Sequence, residues 1–383
     1  MTDRPALTIA AGADWSALGG PLRDLLGPGE PDAVVVETSG SSGSPKRVRL
    51  GATALRASGE ATAQVLGGHG QWLLALPTAH VAGLQVLARS ALAGTEPVEL
   101  HPAAPFTADA IAEAVARMEP STRRYASLVP TQLRRALAAE RGARALRQLD
   151  AVLVGGAASD SRLLDAARDA GVRVVTTYGM SETCGGCVYD GTPLPGVEVD
   201  VDGEGRIRLG GPVLADGYPE DPVLTQERFV SDATGRWFVT DDRGAYRNGR
   251  LTVLGRVDDV VVTGGHKVEP RDVETALRAL PQVLDALVLG LPDEEWGERV
   301  AALVTLAPDA RGVRSEVTTA TEPLRQALRE RGHLPPHALP QQIAVVGEIP
   351  LLATGKPDRA AARRLLTDGG RMGSSPIVTR KDG

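Results

Sequence analysis

Apolar positions along the chain follow two patterns that alternate with each other. Short runs rich in Val, Leu and Ile, such as DAVVVET, are typical of strands, and the Ala-, Leu- and Arg-rich runs that follow them are typical of helices. The patterns predict strands over 32–38, 71–77, 125–130, 151–156 and 172–179, and helices over 52–66, 108–118, 131–149 and 161–171. Alternation of this kind favours a mainly parallel sheet covered by helices on both faces.

The pattern changes after Thr192. Segments 196–214 and 235–256 contain short strands and Gly-containing turns, as in antiparallel hairpins. From Val257 a smaller unit begins, with helices predicted over 271–280 and 322–332 and strands over 285–292, 299–306 and 341–349.

The predicted fold class is therefore α/β. A large N-terminal domain, 1–256, has mainly parallel sheets covered by helices plus an antiparallel β subdomain. A small C-terminal α+β domain covers 257–366. The Gly- and Ser-rich tail, 367–383, is predicted to be disordered.

Composition narrows the function classes. Hydrophobic residues make up 42% of the 383 residues, enough for a core, and aromatics only 3%, so the core must consist of Leu, Val and Ala. The net charge of -6 and the lack of a basic domain argue against nucleic acid as a partner. No stretch approaches the roughly 18 apolar residues of a membrane span, and the N-terminus lacks a secretory signal. These features predict a cytoplasmic protein without membrane insertion.

Cys184 and Cys187 have the spacing of a redox pair. No second pair accompanies them for zinc binding, and the residues around them belong to another motif, TTYGMSETCGGCVYDG. A redox function remains the alternative interpretation.

The loop TSGSSGSPK, from Thr38 to Lys46, follows a predicted strand, as phosphate-binding loops do. Glycines let the backbone approach an anion, hydroxyls add donors, and Lys46 adds a positive charge. The loop is not a Walker motif, because Ser-Pro separates the second Gly from the Lys. A flexible Gly/Ser connector is the alternative.

Further candidates follow in chain order. In YGMSE, Tyr178 offers a face on which a base could stack, and Glu182 could contact Mg²⁺ near a nucleotide. Asp242 and Arg256 flank a short hairpin, where Asp can accept from ribose hydroxyls and Arg can pair with phosphate. Taken alone, Glu182 would be an ordinary surface carboxylate.

Two single residues complete the set. Lys356 lies in IPLLATGKPDR, between prolines, and His80 lies in LPTAHVAGL. A lone Lys is normally solvent-exposed, and a His in an apolar setting is more often a core residue than a catalyst, so both have alternative interpretations.

The order of these motifs resembles the adenylate-forming superfamily of acyl-CoA synthetases, firefly-type luciferases and peptide-synthetase adenylation domains. The family's phosphate loop is matched by TSGSSGSPK and its Tyr-Gly-x-Ser/Thr-Glu motif by YGMSE. Its Gly-Arg-x-Asp hinge is matched by GRVD, from Gly255 to Asp258, and its C-terminal Gly-Lys by Gly355 and Lys356. The resemblance spans about Val34 to Arg364.

The resemblance implies two half-reactions, in which an acid reacts with ATP to give an acyl-adenylate and pyrophosphate, and the CoA thiol then displaces AMP. It implies ATP, Mg²⁺ and CoA as ligands and rotation of a mobile C-terminal domain between the two steps. The implied catalytic residues are Lys356 and His80, and the implied metal contacts are Thr38 and Glu182.

The remaining roles are also implied by the resemblance. ATP-binding residues are Thr38, Ser39, Gly40, Ser41, Ser42, Gly43, Lys46, Gly155, Gly156, Ala157, Tyr178, Gly179, Met180, Ser181, Asp242 and Arg256. The hinge is Asp258, the CoA tunnel is lined by Gly264 and Gly265, and the acyl pocket is formed by His80, Ser127, Thr183, Gly185 and Gly186. Cys184 and Cys187 are then small residues that shape the acyl pocket.

Two features depart from the family pattern. Thr240-Asp241-Asp242 stands where the family usually has Thr-Gly-Asp, and we assign the ribose contact to Asp242. Only a few dozen residues precede Thr38, and together with LVPTQL, ETCGGC and GGHKVEP this is similar to the short o-succinylbenzoate–CoA ligases of menaquinone biosynthesis.

Several alternatives stay open. The acid could be another aryl or fatty acid, the acceptor a carrier-protein thiol, or the chain a catalytically dead ligand-binding relative, although the intact Lys356, Glu182 and Asp242 argue against the last. A homodimer is a further expectation.

Overall fold

The computed structural model describes residues 6–9, 12–27, 33–38, 46–100, 106–307, 318–352 and 356–369. The chain forms two compact units that divide between Val253 and Leu254. The sequence places the domain boundary after Arg256, and the functions assigned to the domains stay predictions. Within the described ranges, no helix combines the length and the apolar character needed to cross a bilayer.

The first unit holds most of the helices and strands. In chain order they are β1 (Leu7–Thr8), α1 (Trp15–Leu25), β2 (Ala33–Thr38), β3 (Lys46–Gly51), α2 (Ala52–Leu66), β4 (Gln71–Leu74), α3 (Val81–Ala93), β5 (Val98–Glu99), α4 (Ala108–Ala116), β6 (Arg124–Leu128), α5 (Pro130–Leu137), α6 (Glu140–Leu146), β7 (Ala151–Val154), α7 (Ser161–Asp169), β8 (Val174–Met180), β9 (Gly185–Tyr189), β10 (Thr192–Pro193), β11 (Glu198–Val201), β12 (Arg206–Gly210), α8 (Pro222–Arg228), β13 (Phe229–Asp232), β14 (Gly235–Arg247) and β15 (Arg250–Arg256). The division between the units falls within β15.

The central sheet of this unit has the strand order β10-β9-β8-β7-β6-β4-β5. Strands β8, β7, β6, β4 and β5 are parallel, and β9 is antiparallel to β8. Alternate residues of each strand point to opposite faces. Leu153 of β7 therefore belongs to one apolar cluster with α2 and α3, whereas Val152 and Val154 belong to another with α4 and α7. This confirms the predicted parallel sheet with both faces covered.

Two smaller sheets complete the unit. One has the order β1-β2-β3, and the other has the order β11-β12-β14-β13, with β15 paired to β14. The antiparallel pairs β11–β12 and β12–β14 confirm the predicted hairpin-rich segment. Asn248 and Gly249, between β14 and β15, both have positive φ, as a tight hairpin turn requires.

One predicted helix is wrong. The sequence suggests a continuous helix over 131–149, but the chain forms α5 and α6, separated at Ala139, which is extended with φ -133° and ψ 140°. Tertiary packing explains the break, because α6 lies against both α4 and α5. A Cβ on Gly142 would lie 2.2 Å from the Ala136 carbonyl oxygen, so only Gly permits this close turn.

The second unit is smaller and of α+β type. Its elements are β16 (Val261–Thr263), β17 (His266–Val268), α9 (Pro270–Arg278), β18 (Val283–Asp293), β19 (Gly297–Leu306), β20 (Thr318–Thr319), α10 (Thr321–Arg331), β21 (Gln342–Val345) and α11 (Arg359–Gly369). The sheet order is β17-β16-β19-β21-β20, with β18 paired to β19. Helices α9 and α10 cover one apolar face, and α11 covers the other.

The predicted disordered tail begins at 367, but α11 continues to Gly369. The rest of that tail lies outside the described residues. The α/β class, with its large first unit and its smaller α+β second unit, is confirmed.

Candidate active site

Three residues of the predicted site, one from the acyl pocket and two from the nucleotide site, lie at one edge of the central sheet. Because β6, β7 and β8 are parallel, their carboxyl ends meet at the same edge. Ser127 lies near the end of β6, Gly155 follows β7, and Tyr178 lies near the end of β8. A crevice outside the carboxyl ends of parallel strands is the usual ligand site of such sheets.

Gly155 is held close to the neighbouring strand. A Cβ at this position would lie 2.2 Å from Thr177 Oγ1, so no larger residue fits without displacing β8. Its N–H donates to the Leu128 carbonyl at 3.2 Å. Gly156 is exposed and Ala157 half-buried, so this segment presents backbone and little side-chain bulk at the edge of the sheet. Such a surface suits a flat ring such as adenine.

Tyr178 and Asp242 are in contact, although 64 residues separate them in sequence. The Tyr178 hydroxyl donates to Asp242 Oδ2 at 2.7 Å. Burial and, second, the neighbouring carboxylate raise the pKa of Tyr178, so the hydroxyl stays protonated and remains a donor. The two residues predicted for adenine and ribose thus lie together on the larger unit.

The adjacent carboxylates of β14 have different partners. Asp241 pairs with Arg228 at 2.5 Å, whereas Asp242 accepts from Tyr178. Consecutive residues of a strand point to opposite faces, so the two side chains are not interchangeable. The backbone N–H of Asp242 also donates to Thr240 Oγ1 at 3.0 Å, which fixes this segment. The geometry favours Asp242 over Asp241 as the partner of the nucleotide, and its ribose contact stays a prediction.

Glu182 lies in a 3-10 turn, Ser181–Thr183, that directly follows β8. Its side chain is half-buried and accepts a hydrogen bond from the Tyr218 hydroxyl at 2.8 Å. Strand β3, which begins at Lys46, packs beside this turn. Thr38, the other predicted metal contact, pairs with Lys46 across the β2–β3 ladder. The fold thus brings the two ends of the predicted phosphate loop near Glu182.

These residues fit a magnesium site of the nucleotide type. Mg²⁺ in such sites is commonly held by one or two carboxylates together with substrate phosphates. The single half-buried carboxylate of Glu182, beside the strand that begins at Lys46, agrees with that pattern. No group of three or more His, Cys, Asp or Glu side chains suited to a metal occurs in the described part of the chain. Ser39, Gly40, Ser41, Ser42 and Gly43 lie outside the described residues.

The predicted acyl-pocket residues lie at the N-cap of α3, on β6, in the turn Ser181–Thr183 and at the start of β9. His80 is half-buried at the N-cap of α3, and Ser127 is buried. Thr183 is fully buried, and its hydroxyl donates to the Gly185 carbonyl at 2.8 Å, so it stabilises the turn. Gly185 lies against α3, because a Cβ there would be 3.2 Å from Gln85 Cγ. Gly186 is half-buried beside Thr177. Their contacts with an acid stay predictions.

The remaining residues of the predicted site are at the end of β8 or in the second unit. Gly179 and Met180 are half-buried, and Ser181 is buried. In the second unit, Arg256 pairs with Asp258 through two hydrogen bonds of 2.8 and 3.0 Å.

Two further features of the second unit bear on the predicted CoA and lysine sites. Gly264 and Gly265 form the turn between β16 and β17 with positive φ at both. Lys356 is exposed, and its carbonyl accepts from Leu352 N–H at 2.8 Å. Gly355 lies outside the described residues.

The cysteine side chains are both fully buried in the apolar core of the first unit, and neither forms a disulfide. Burial raises the pKa of Cys187 to about 12 and also raises the pKa of Cys184. The thiolate is the reactive form, so buried neutral thiols are inert. The redox interpretation has no support from this geometry.

We expect the double variant Cys184→Ala, Cys187→Ala to keep activity within about tenfold of the native protein, equivalent to about 1.4 kcal/mol. The raised pKa values keep both thiols protonated at about pH 8, so the folded protein should resist alkylation by iodoacetamide. The denatured chain should be alkylated at both cysteines. Activity loss on mild oxidation that thiols reverse, and that the double variant does not show, would restore the redox interpretation.

Two buried side chains, Arg89 and Tyr218, are further functional candidates that the sequence motifs do not include. Arg89 lies in the apolar helix VAGLQVLARSALA yet is only 5% exposed. Tyr218, in ADGYPE, is 6% exposed and bonds Glu182. The sequence signal for Arg89 is a charged residue within an otherwise apolar helical pattern. The signal for Tyr218 is weaker, because it is only that the chain has five tyrosines.

Residues 24–218 match the family model "AMP-binding enzyme", and residues 272–356 match "AMP-binding enzyme C-terminal domain". The chain is 44% identical over 365 residues to a Mycobacterium tuberculosis (strain H37Rv) protein named "Probable 2-succinylbenzoate–CoA ligase", covering 94% of this chain and 91% of that one. It is 34% identical over 279 residues to the Escherichia coli (strain K12) 2-succinylbenzoate–CoA ligase, covering 70% and 57%.

The fold is also similar to that of a solved structure. o-Succinylbenzoate CoA synthetase (MenE) from Bacillus subtilis, in complex with the acyl-adenylate intermediate OSB-AMP, superposes with a TM-score of 0.70 at 27% identity, covering 86% of this chain and 68% of that one. The family match extends over both units and agrees with the gathering of Tyr178, Glu182 and Asp242 in the first. The chain therefore belongs to the AMP-binding enzymes, the adenylate-forming superfamily that its motifs resemble.

Proposed function

We propose that this protein is an AMP-forming acid–thiol ligase that converts 2-succinylbenzoate, ATP and CoA into 2-succinylbenzoyl-CoA, AMP and pyrophosphate. A carboxylate oxygen of the acid forms a bond to the α-phosphorus as the bond to pyrophosphate breaks. The CoA sulfur then bonds to the acyl carbon, the thiol proton leaves, and the bond to AMP breaks. The M. tuberculosis and E. coli relatives with this name and the B. subtilis complex support the assignment.

The observation that carries the choice of acid is Arg89. 2-Succinylbenzoate has two carboxylates and only one is activated, so the other needs a cation or a water-bridged polar cluster in the pocket. Arg89 is 5% exposed, and the ion pairs among the described residues include none to it. Its Nη2 contacts the Tyr189 hydroxyl at 3.3 Å, and its guanidinium lies 4.9 Å from the Trp72 ring centroid.

A buried charge without an opposite charge is costly, and a phenol and an aromatic face offset only part of that cost. Arg89 Nε and Gln85 Oε1 are both buried without a hydrogen-bond partner among the described residues. Gln85 and Arg89 are one helical turn apart, so their side chains lie on the same face of α3. On that face, Gln85 Nε2 donates to the Cys184 carbonyl at 2.6 Å. A substrate carboxylate would pair with the guanidinium by charge-assisted hydrogen bonds.

The other residues divide the chemistry between the two steps. Bound Mg²⁺ would neutralise charge on the phosphates, with Glu182 and Thr38 as the residues placed to hold it. Lys46 and the phosphate loop would bind the terminal phosphates, and Asp242 would bind the ribose. Lys356 would bring a positive charge to the α-phosphate and the acid. The partners are thus small molecules, and cytoplasmic location and homodimer formation stay predictions.

The test compares substrates in one assay. Pyrophosphate release and CoA-thioester formation are measured with 2-succinylbenzoate, benzoate and a medium-chain fatty acid. We expect a kcat/KM for 2-succinylbenzoate at least about 100-fold above the others, because only it supplies a second carboxylate to a buried cation.

Benzoate turnover as efficient as that of 2-succinylbenzoate would contradict the choice of acid but leave an acyl-CoA ligase. If pyrophosphate were released but no CoA thioester formed, and a carrier-protein thiol then accepted the acyl group, the acceptor would be the carrier protein and not CoA. No pyrophosphate release with any acid would indicate a catalytically dead relative.

A further inference from the structure

Tyr218 lies between Glu182, a predicted metal contact, and Lys46, a predicted phosphate contact, in the first unit. Its hydroxyl donates to Glu182 Oε1 at 2.8 Å. The Lys46 ammonium lies 5.9 Å from the centroid of the same ring, within the range of a cation–π contact. One side chain therefore touches the carboxylate that follows β8 and the cation that begins β3.

The backbone around Tyr218 is tied to β3. Arg49 N–H donates to the Gly217 carbonyl, and Asp216 N–H donates to the Arg49 carbonyl, each at 2.9 Å. The side chains of Arg49 and Asp216 also form an ion pair, as do Arg47 and Glu220. These contacts make the segment that carries Tyr218 an extension of the β2–β3 sheet, which places its ring beside the strand that begins at Lys46.

A second set of contacts fixes Tyr218 itself. Its N–H donates to Thr225 Oγ1 at 2.8 Å, and the Thr225 hydroxyl donates to the Tyr218 carbonyl at 3.1 Å. The ring meets Phe229 edge-on at a centroid distance of 5.9 Å. Ala215 N–H donates to the Glu182 carbonyl at 2.9 Å, which joins this segment to the turn. Both the phenol and its acceptor are thus held by backbone contacts.

The phenol is the donor in this contact. The Tyr218 side chain is only 6% exposed, and a carboxylate oxygen accepts the hydrogen bond from its hydroxyl. Glu182 Oε1 is therefore occupied by this donor, which restricts the rotation of the carboxylate and leaves Oε2 as the oxygen that Tyr218 does not contact.

We propose that Tyr218 is a positioning residue for adenylate formation, which sets the Glu182 carboxylate and the Lys46 ammonium relative to each other for magnesium-bound ATP. This inference rests on the proposed function, because it needs the nucleotide to bind at Glu182. Residues that orient a metal ligand commonly change metal affinity or activity 10- to 100-fold when they are replaced.

The test is the variant Tyr218→Phe, which removes one oxygen and keeps the ring under Lys46. ATP binding is measured by calorimetry across a range of Mg²⁺ concentrations and again with EDTA. We expect the Mg²⁺ concentration for half-saturation to rise about tenfold, with metal-free ATP affinity changed less than about twofold. The same shift should appear in the Mg²⁺ dependence of pyrophosphate release.

Tyr125→Phe is the matched control. Its phenol is also buried and donates to the Gly68 carbonyl at 3.0 Å, away from Glu182. It loses the same kind of hydrogen bond, so it should leave the Mg²⁺ requirement unchanged. If Tyr218→Phe does not fold, Thr225→Val serves instead, because it loosens the Tyr218 backbone; we expect a rise of about threefold.

The outcomes separate this inference from the proposed function. An unchanged Mg²⁺ requirement in a folded Tyr218→Phe variant would overturn the positioning role, as would an equal loss of ATP affinity with and without Mg²⁺. If the native protein itself failed to bind magnesium-bound ATP, the proposed function would be wrong.

Discussion

Lys356→Ala is expected to slow acyl-adenylate formation about 100- to 1000-fold and to leave the thiol step nearly unchanged. Negative charge builds around the α-phosphorus in the first step, and the loss of one preorganised charge from such a transition state typically costs this much. In the second unit Lys356 is exposed, next to the bridge between Leu351 and Pro357, so its removal should not change the melting temperature.

The thiol step should differ because the domain rotation that the family resemblance implies would move Lys356 away before CoA attacks. Single-turnover kinetics measure the two steps separately, with ATP and acid in one experiment and with pre-made acyl-adenylate and CoA in the other. Equal losses in both steps would show that the domain alternation is wrong for this chain.

Asp258→Pro is expected to have the opposite effect, with a larger loss in the thiol step than in adenylation. Asp258 lies in the 3-10 turn Val257–Asp259 and pairs with Arg256. Proline restricts φ at this position, so the variant should hinder rotation and slow the thiol step more than adenylation. A pair of variants with opposite effects on the two steps is difficult to explain by general damage to the protein.

Arg89→Met is expected to lower kcat/KM for 2-succinylbenzoate roughly 30- to 5000-fold. The loss of one partner of a buried, hydrogen-bonded charge pair costs about 2–5 kcal/mol, which converts to this range. Methionine has a similar length and is apolar, so the α3 packing should survive. The native guanidinium has an unpaired buried Nε, so the free variant should melt at the same temperature as the native protein or higher.

The choice of substrate makes this test specific. 4-Oxo-4-phenylbutanoate and 2-butanoylbenzoate each keep one of the two carboxylates of 2-succinylbenzoate. For the analogue that keeps only the activated carboxylate, kcat/KM should be low in the native protein and change less than about threefold in Arg89→Met. The identity of that analogue also shows which carboxylate reacts.

Arg56→Met is the matched control for Arg89→Met. Arg56 is a half-buried arginine of α2 that donates to the Leu26 and Gly27 carbonyls at 3.0 and 2.7 Å. Its loss should lower the melting temperature and leave the ratio between substrate and analogue unchanged. A fall of equal size for substrate and analogue in Arg89→Met would show that Arg89 only stabilises the fold.

The local patterns of the sequence determined the class of the fold. Strand and helix periods depend on neighbouring residues, so the predicted helix over 52–66 matches α2 residue for residue, and the parallel sheet and the later hairpins follow from the same signals. The order of the motifs likewise identified the superfamily, because each motif is a short continuous segment. Where a break depended on a neighbouring helix, as between α5 and α6, the local pattern was not sufficient.

Contacts between distant segments were decided only by the tertiary structure. Tyr218 meets Glu182 across 36 residues, and Tyr178 meets Asp242 across 64. The burial of Arg89 depends on the packing of α3 against the central sheet and the turn before β9. Asp241 and Asp242 have different partners because their side chains point to opposite faces of β14. Their sequence neighbours carry no signal of these contacts, because packing between elements brings the side chains together and determines which charges lose contact with water.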